Sequence, residues 1–66
     1  MQIVLNGDPV ETAERSTVAM LLEHLGVSRE RVAVELNADI VPKADYEQQL
    51  LSDGDKIEIV HFVGGG

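Results

Sequence analysis

Hydrophobic and polar positions change period along this chain, and each change marks an element. In "MQIVLNGDPVET" a β-branched run meets Asn6-Gly7 before Val10. Asn-Gly tolerates positive φ at both positions and is a strong hairpin signal. Strands are therefore expected near residues 1–5 and 9–13, with Pro9 suited only to a strand start or a sheet edge. "STVAMLLEHLG" then switches to helical spacing, because Val18, Leu21, Leu22 and Leu25 fall at i, i+3, i+4 and i+7 on one face. Ser16 or Thr17 can cap a helix over 17–25, and Gly26 can take the left-handed position after it. Met20 and Glu23 project away from the apolar stripe and should be solvated. His24 falls in the last turn, where a cation interacts favourably with the helix dipole.

The second half returns to period two. Val32, Val34 and Leu36 share one face, an Asn-Ala-Asp turn follows at 37–39, and a short strand around Ile40 and Val41 ends at Pro42. "KADYEQQLLSDGD" is too short and polar for a long helix, so a turn or 3₁₀ segment is expected, with Tyr46, Leu50 and Leu51 tucked into the core and Asp53-Gly54-Asp55 as a turn. The last strand, "KIEIVHFV", sends Ile57 and Ile59 inward and Glu58 outward. By the same alternation Val60 and Phe62 lie on the outward side. Outward apolar residues just before a glycine tail suggest a surface that another molecule covers.

Composition narrows what such a domain can do. The chain has 66 residues and no cysteine. A domain of this size buries only about 60% of the surface its unfolded chain exposes. A pocket of roughly 300–1,000 Å³ is hard to hollow out of one thin core, which argues against an enzyme with its own enclosed active site. The net charge is −7, twelve acidic residues against five scattered basic ones, and Tyr46 and Phe62 are the only aromatic residues. Nucleic-acid binding, which needs a basic stripe and stacking platforms, is not expected. A basic protein partner is compatible with this charge. The amino-terminal residues read as neither signal nor transit peptide, and no apolar run approaches the ~20 residues of a membrane span. The expectation is a soluble, cytoplasmic protein.

Candidate chemistry is sparse until the tail. Ser16, Ser28 and Ser52 sit beside cap or turn signals. Asp53 and Asp55 lack the further oxygen ligands of a calcium loop, and no metal or bound cofactor is expected. Residues 64–66 are three glycines, set off as a flexible tail from a domain over 1–63. From Phe62 onward an extended backbone reaches about 17 Å, and glycine can pass through a slot that a Cβ would block. A terminal carboxylate on Gly66 could attack the α-phosphorus of ATP if a partner supplied positioning and Mg²⁺. A sulfur or nitrogen nucleophile could then displace AMP.

The order hairpin, helix, strand pair, short turn segment, "DGD" turn, final strand and Gly-Gly ending resembles the ubiquitin-like β-grasp sulfur carriers. The chain is most similar to the ThiS family of thiamin biosynthesis, through "VAVELNADIVPKADYEQQLLSDGDKIEIV" and the terminal glycines. The resemblance implies an α+β fold, a mixed sheet of four to five strands curled around one main helix, with first and last strands parallel. It also implies a carrier rather than an enzyme. A ThiF-like adenylating enzyme would use ATP and Mg²⁺ on Gly66, and a donor such as a cysteine desulfurase would supply the sulfur of a thiocarboxylate. A ThiG-like thiazole synthase would receive that sulfur. Val60, Phe62, Val63, Gly64 and Gly65 would then meet the partners. The small subunit of molybdopterin synthase uses the same terminal chemistry, but commonly carries a proline pair where this chain has Val60-His61-Phe62-Val63. A carrier serving another sulfur-containing product, or a ubiquitin-like protein modifier joined through Gly66, would also fit these residues.

Overall fold

In the computed structural model, which describes residues 1–62, strands β1 (Gln2–Leu5) and β2 (Asp8–Glu11) form the first hairpin. Asn6 and Gly7 turn it at φ 48° and 88°, the left-handed pair that a two-residue hairpin needs. Helix α1 (Val18–Leu25) comes next. Its cap is Thr17, whose hydroxyl accepts from the Met20 N–H at 3.2 Å. Ser16 has a different role: its buried hydroxyl donates to the Ala13 carbonyl at 2.6 Å and lies 3.1 Å from Thr12 Oγ1. Gly26 stops the helix at φ 74°, with its N–H on Glu23 O and that of Val27 on Leu22 O, a Schellman closure.

A 3₁₀ turn at Arg29–Arg31 leads into β3 (Val32–Leu36), which pairs with the short β4 (Asp39–Ile40). The expected three-residue turn is shorter, made by Asn37 and Ala38 at φ 51° and 74°. Val41 lies just past β4 yet still donates to Val34 O at 2.9 Å and is buried. A second 3₁₀ turn, Lys43–Asp45, places Tyr46 in the core before β5 (Lys56–His61) closes the sheet. The five strands run in the order β2-β1-β5-β3-β4. Only β1 and β5 pair in parallel, with Val4 beside Lys56 and Leu5 beside Ile57.

One face of this sheet packs on α1 around Ile3, Val18, Leu21, Leu22, Val32, Val34, Tyr46, Leu51, Ile57 and Ile59. Two residues expected inside are not. Leu25 is on the correct stripe but is the last helical residue, and it is 39% exposed. Leu50 is 55% exposed, because residues 49–51 are extended rather than coiled. Val18 N donates to Gln49 O, Leu51 N donates to Ser16 O, and Leu50 bridges to Thr17. Neighbours along such a segment point to opposite sides, so burying Leu51 turns Leu50 outward.

Candidate functional site

Strand β5 builds the candidate site from alternation alone. Ile57 and Ile59 are 0% and 8% exposed, whereas Val60 and Phe62 are each 57% exposed. Both therefore stand where period two places them. Across the sheet, Val60 faces Ala33, and Glu58 faces Glu35, which in turn faces Ile40 on β4. Ile40, exposed at 65%, thus joins Val60 and Phe62 on the outer side of the sheet. It was not among the candidate residues, although the same alternation signals it, since Val41 beside it is buried.

Phe62 is held without being covered. Its N–H donates to the Arg31 carbonyl at 2.8 Å, and the Lys43 ammonium lies 5.4 Å from its ring centroid, a cation–π contact. Lys43 also donates to the Glu30 backbone carbonyl at 3.3 Å and lies 3.9 Å from its carboxylate. The rim of the face thus mixes both charges. Glu35 and Glu58 stand directly opposite each other in register, an arrangement that is mildly unfavourable unless a cation lies between. No described residue makes an ion pair with either.

Two asparagines fix where β5 lies. Asn6 Oδ1 accepts from the Ile59 N–H at 2.8 Å and Asn6 Nδ2 donates to the Ile59 carbonyl at 3.3 Å. Asn37 Oδ1 accepts from the Lys56 N–H and its Nδ2 donates to Asp55 Oδ1, both at 3.0 Å. The acidic pair near the last turn is structural. Asp53 Oδ1 accepts from Gln2 N at 2.8 Å and Asp55 Oδ2 from Ser52 N at 2.7 Å. No cluster of metal-ligating side chains forms among the described residues, and His24 stands exposed in the last turn of α1.

The perturbed titrating groups lie away from this face. Burial pushes the Tyr46 phenol up, partly opposed by the nearby Val34 backbone. The Met1 ammonium is raised chiefly by its bond to Glu14, with Glu11 and Asp53 adding to it. No helix among the described residues is long and apolar enough to cross a membrane. Of the residues expected to meet partners, Val60 and Phe62 are brought to one surface, while Val63, Gly64, Gly65 and the reacting Gly66 lie outside the described residues.

The chain is 50% identical, over all 66 residues, to a thiazole synthase of Paramagnetospirillum magneticum, and spans 20% of that protein's length. It is 35% identical to the sulfur carrier protein ThiS of Escherichia coli, with both chains fully covered. The crystal structure of a thiamine biosynthesis protein (ThiS) from Geobacter metallireducens superposes over the full length of both chains with a TM-score of 0.86, at 36% identity. The fold is the ubiquitin-like β-grasp. A model described as the ThiS family matches residues 3–66, and the chain belongs to that family.

Proposed function

We propose that this protein is a sulfur carrier of thiamin biosynthesis, acted on by partner enzymes and not itself an enzyme. The observation that carries the reading is the family match, which runs from Ile3 through the terminal glycines to Gly66, joined to an exposed apolar face that includes Val60 and Phe62. In this reading a carboxylate oxygen of Gly66 attacks the α-phosphorus of ATP on a ThiF-like adenylating enzyme, and pyrophosphate leaves. Mg²⁺ on that enzyme neutralises the phosphate charge. The terminal sulfur of a persulfide, carried by a donor such as a cysteine desulfurase, attacks the acyl carbon and displaces AMP, and a thiol reductant then supplies the two electrons that cleave the resulting acyl disulfide. The product is a Gly66 thiocarboxylate.

Thiazole synthase is the acceptor with the most support, since a protein of that name carries a stretch half identical to this chain. Val60 and Phe62 form the docking face, Val63 joins the partner contact, and Gly64 and Gly65 thread the partner's channel, where a Cβ would be obstructive. The cytoplasm, where ATP and reduced sulfur are both at hand, is the compartment this scheme requires.

The test is the intact mass of the protein after incubation with ATP, Mg²⁺, an adenylating enzyme of the ThiF type and a reduced sulfur donor. Replacement of one oxygen by sulfur at Gly66 is expected. An unchanged mass, with the same enzyme active on another carrier, refutes the proposal. Stable adducts joined through Gly66 to lysines of other proteins would favour a protein modifier instead.

A further inference from the structure

The central strand of this sheet has one main-chain position that nothing in the described fold occupies. In the β3–β5 ladder, Phe62 N donates to Arg31 O and Asn37 N to Lys56 O, so the hydrogen-bonded residues of β5 toward β3 are Lys56, Glu58, Val60 and Phe62. Alternation then turns the N–H and C=O of Ile57, Ile59 and His61 to the opposite side, toward β1. There Ile57 O accepts from Asn6 N. At Asn6 the β1 backbone turns away into its hairpin, and the Asn6 carboxamide takes over, closing both polar groups of Ile59. His61 comes next. Its N–H and C=O have no partner among the described residues, and the residue is exposed.

The two outer edges of the sheet offer nothing comparable. Thr12 N donates to Met1 O, which sets the register so that Pro9 and Glu11 face outward on β2, and Pro9 has no N–H to offer. β4 is two residues long. Short edges and edge prolines are how sheets avoid unplanned pairing. The open position therefore lies on an inner strand, five residues before Gly66, beside the exposed Val60 and Phe62.

The tail beyond it is Gly64-Gly65-Gly66, which offers a partner no side chains to read. Its N–H and C=O groups are what remains for recognition, and main-chain pairing of an added strand is how extended peptides are read when side chains contribute little. We propose that thiazole synthase adds an extended segment to the sheet alongside β5, on the side that β1 vacates at Asn6. That strand pairs with the His61 main chain, which lies outside the β1 pairing. Asn6 is a positioning residue here: it ends the β1 pairing one residue pair short of His61 and keeps the slot open. The identity of the partner rests on the sulfur-carrier reading above, whereas the slot rests on the hydrogen bonds of this fold.

The experiment is amide hydrogen exchange on the full chain, alone and mixed with thiazole synthase, together with dissociation constants for His61→Pro and His61→Ala. Proline removes the N–H on the vacant side and costs no bond to β3; alanine removes the imidazole and keeps the N–H. The expected results are slowed exchange at the His61 amide in the complex, a roughly tenfold weaker Kd for the proline variant, as the loss of one main-chain bond implies, and a Kd near that of the unchanged chain for the alanine variant. If the complex forms but the His61 amide exchanges as fast as in the free protein, the added strand is refuted and the carrier reading stands. Equal losses in both variants also refute it, since the side chain would then be the contact. Failure to form any complex overturns the added strand and thiazole synthase as the acceptor, whereas the carrier chemistry itself is decided by the mass of the Gly66 product. The exchange measurement needs no variant, so it decides the matter even if His61→Pro misfolds.

Discussion

Replacing Asn6 by alanine tests whether the carboxamide does the work of a missing strand residue. Asn6 accepts from the Ile59 N–H at 2.8 Å and donates to the Ile59 carbonyl at 3.3 Å. A well-formed intramolecular hydrogen bond contributes about 1 kcal/mol net, and the longer one less, so the pair is worth about 1.5 kcal/mol. Asn6 also sits at φ 48°, where both residues carry a Cβ but asparagine is tolerated better than alanine, by about 0.5 kcal/mol. Asn6→Ala should therefore destabilise by about 2 kcal/mol, against a total stability of roughly 3–10 kcal/mol for a chain of this length. Asn6→Gly loses the same bonds without the Cβ strain and should cost less than alanine, by roughly 0.5–1 kcal/mol. Urea titrations read both, as a midpoint lower by about 2 M for alanine at an m-value of roughly 1 kcal/mol/M. An Asn6→Gly midpoint equal to that of the unchanged protein would refute the argument, because water would then satisfy Ile59 as well as the carboxamide does.

Phe62→Asp should weaken binding to an adenylating enzyme or thiazole synthase while lowering stability by less than about 1 kcal/mol, the worth of the exposed cation–π contact with Lys43; calorimetry on the free variant and a Kd for each partner check this, and a collapsed melting transition would move Phe62 into the core. Leu51→Ala should cost about 2–5 kcal/mol, as a core truncation does, whereas Leu50→Ser should stay within about 0.5 kcal/mol in the same thermal melts. The Met1 ammonium has a folded pKa raised above its ordinary 8.0, so the stability it contributes is fully present below that value and is lost as pH rises through the folded one. Acetylating the amine should lower the melting temperature at neutral pH and remove this component of the alkaline decline. Appending one alanine after Gly66 should abolish thiocarboxylate formation, read by intact mass, with no change in melting temperature.

The local elements were legible because their signals are local. Asn6-Gly7 marks its turn by the positive φ both residues tolerate, and Val18, Leu21 and Leu22 mark a helix face by spacing. The outward placement of Val60 and Phe62 came from period two once Ile57 was set inside. Strand order was not legible in this way. That β5 lies between β1 and β3 depends on contacts far apart in sequence, those to β1 more than fifty residues apart, such as Asn6 with Ile59, and no periodicity encodes them; the family resemblance supplied the parallel pairing. Leu50 was misplaced because a two-leucine sequence does not say which residue faces in until the extended backbone of 49–51 is known. Ala38 at φ 74° is illegible for the opposite reason: nothing about alanine signals a left-handed turn, and the position is imposed by the register of β3 with β4.

The parallel β1–β5 pair has a consequence for the carrier role proposed above. A strand at the sheet edge could fray or pair with a stray chain, taking any tail with it. Here the residues leading to the tail leave from the sheet's middle strand, gripped by β3 along its length and by β1 and Asn6 as far as Ile59. The grip on the β1 side stops there, although β3 still holds Phe62 through Arg31. Ordered backbone up to Phe62 lowers the conformational cost a partner must meet to seat the glycines, while the one-sided release at His61 leaves main-chain groups for that partner to take. Shifting the grip by one residue pair in either direction would lose one of these: a clamp ending at Ile57 would free the docking face to move, and one reaching His61 would leave the partner only side chains and a glycine tail.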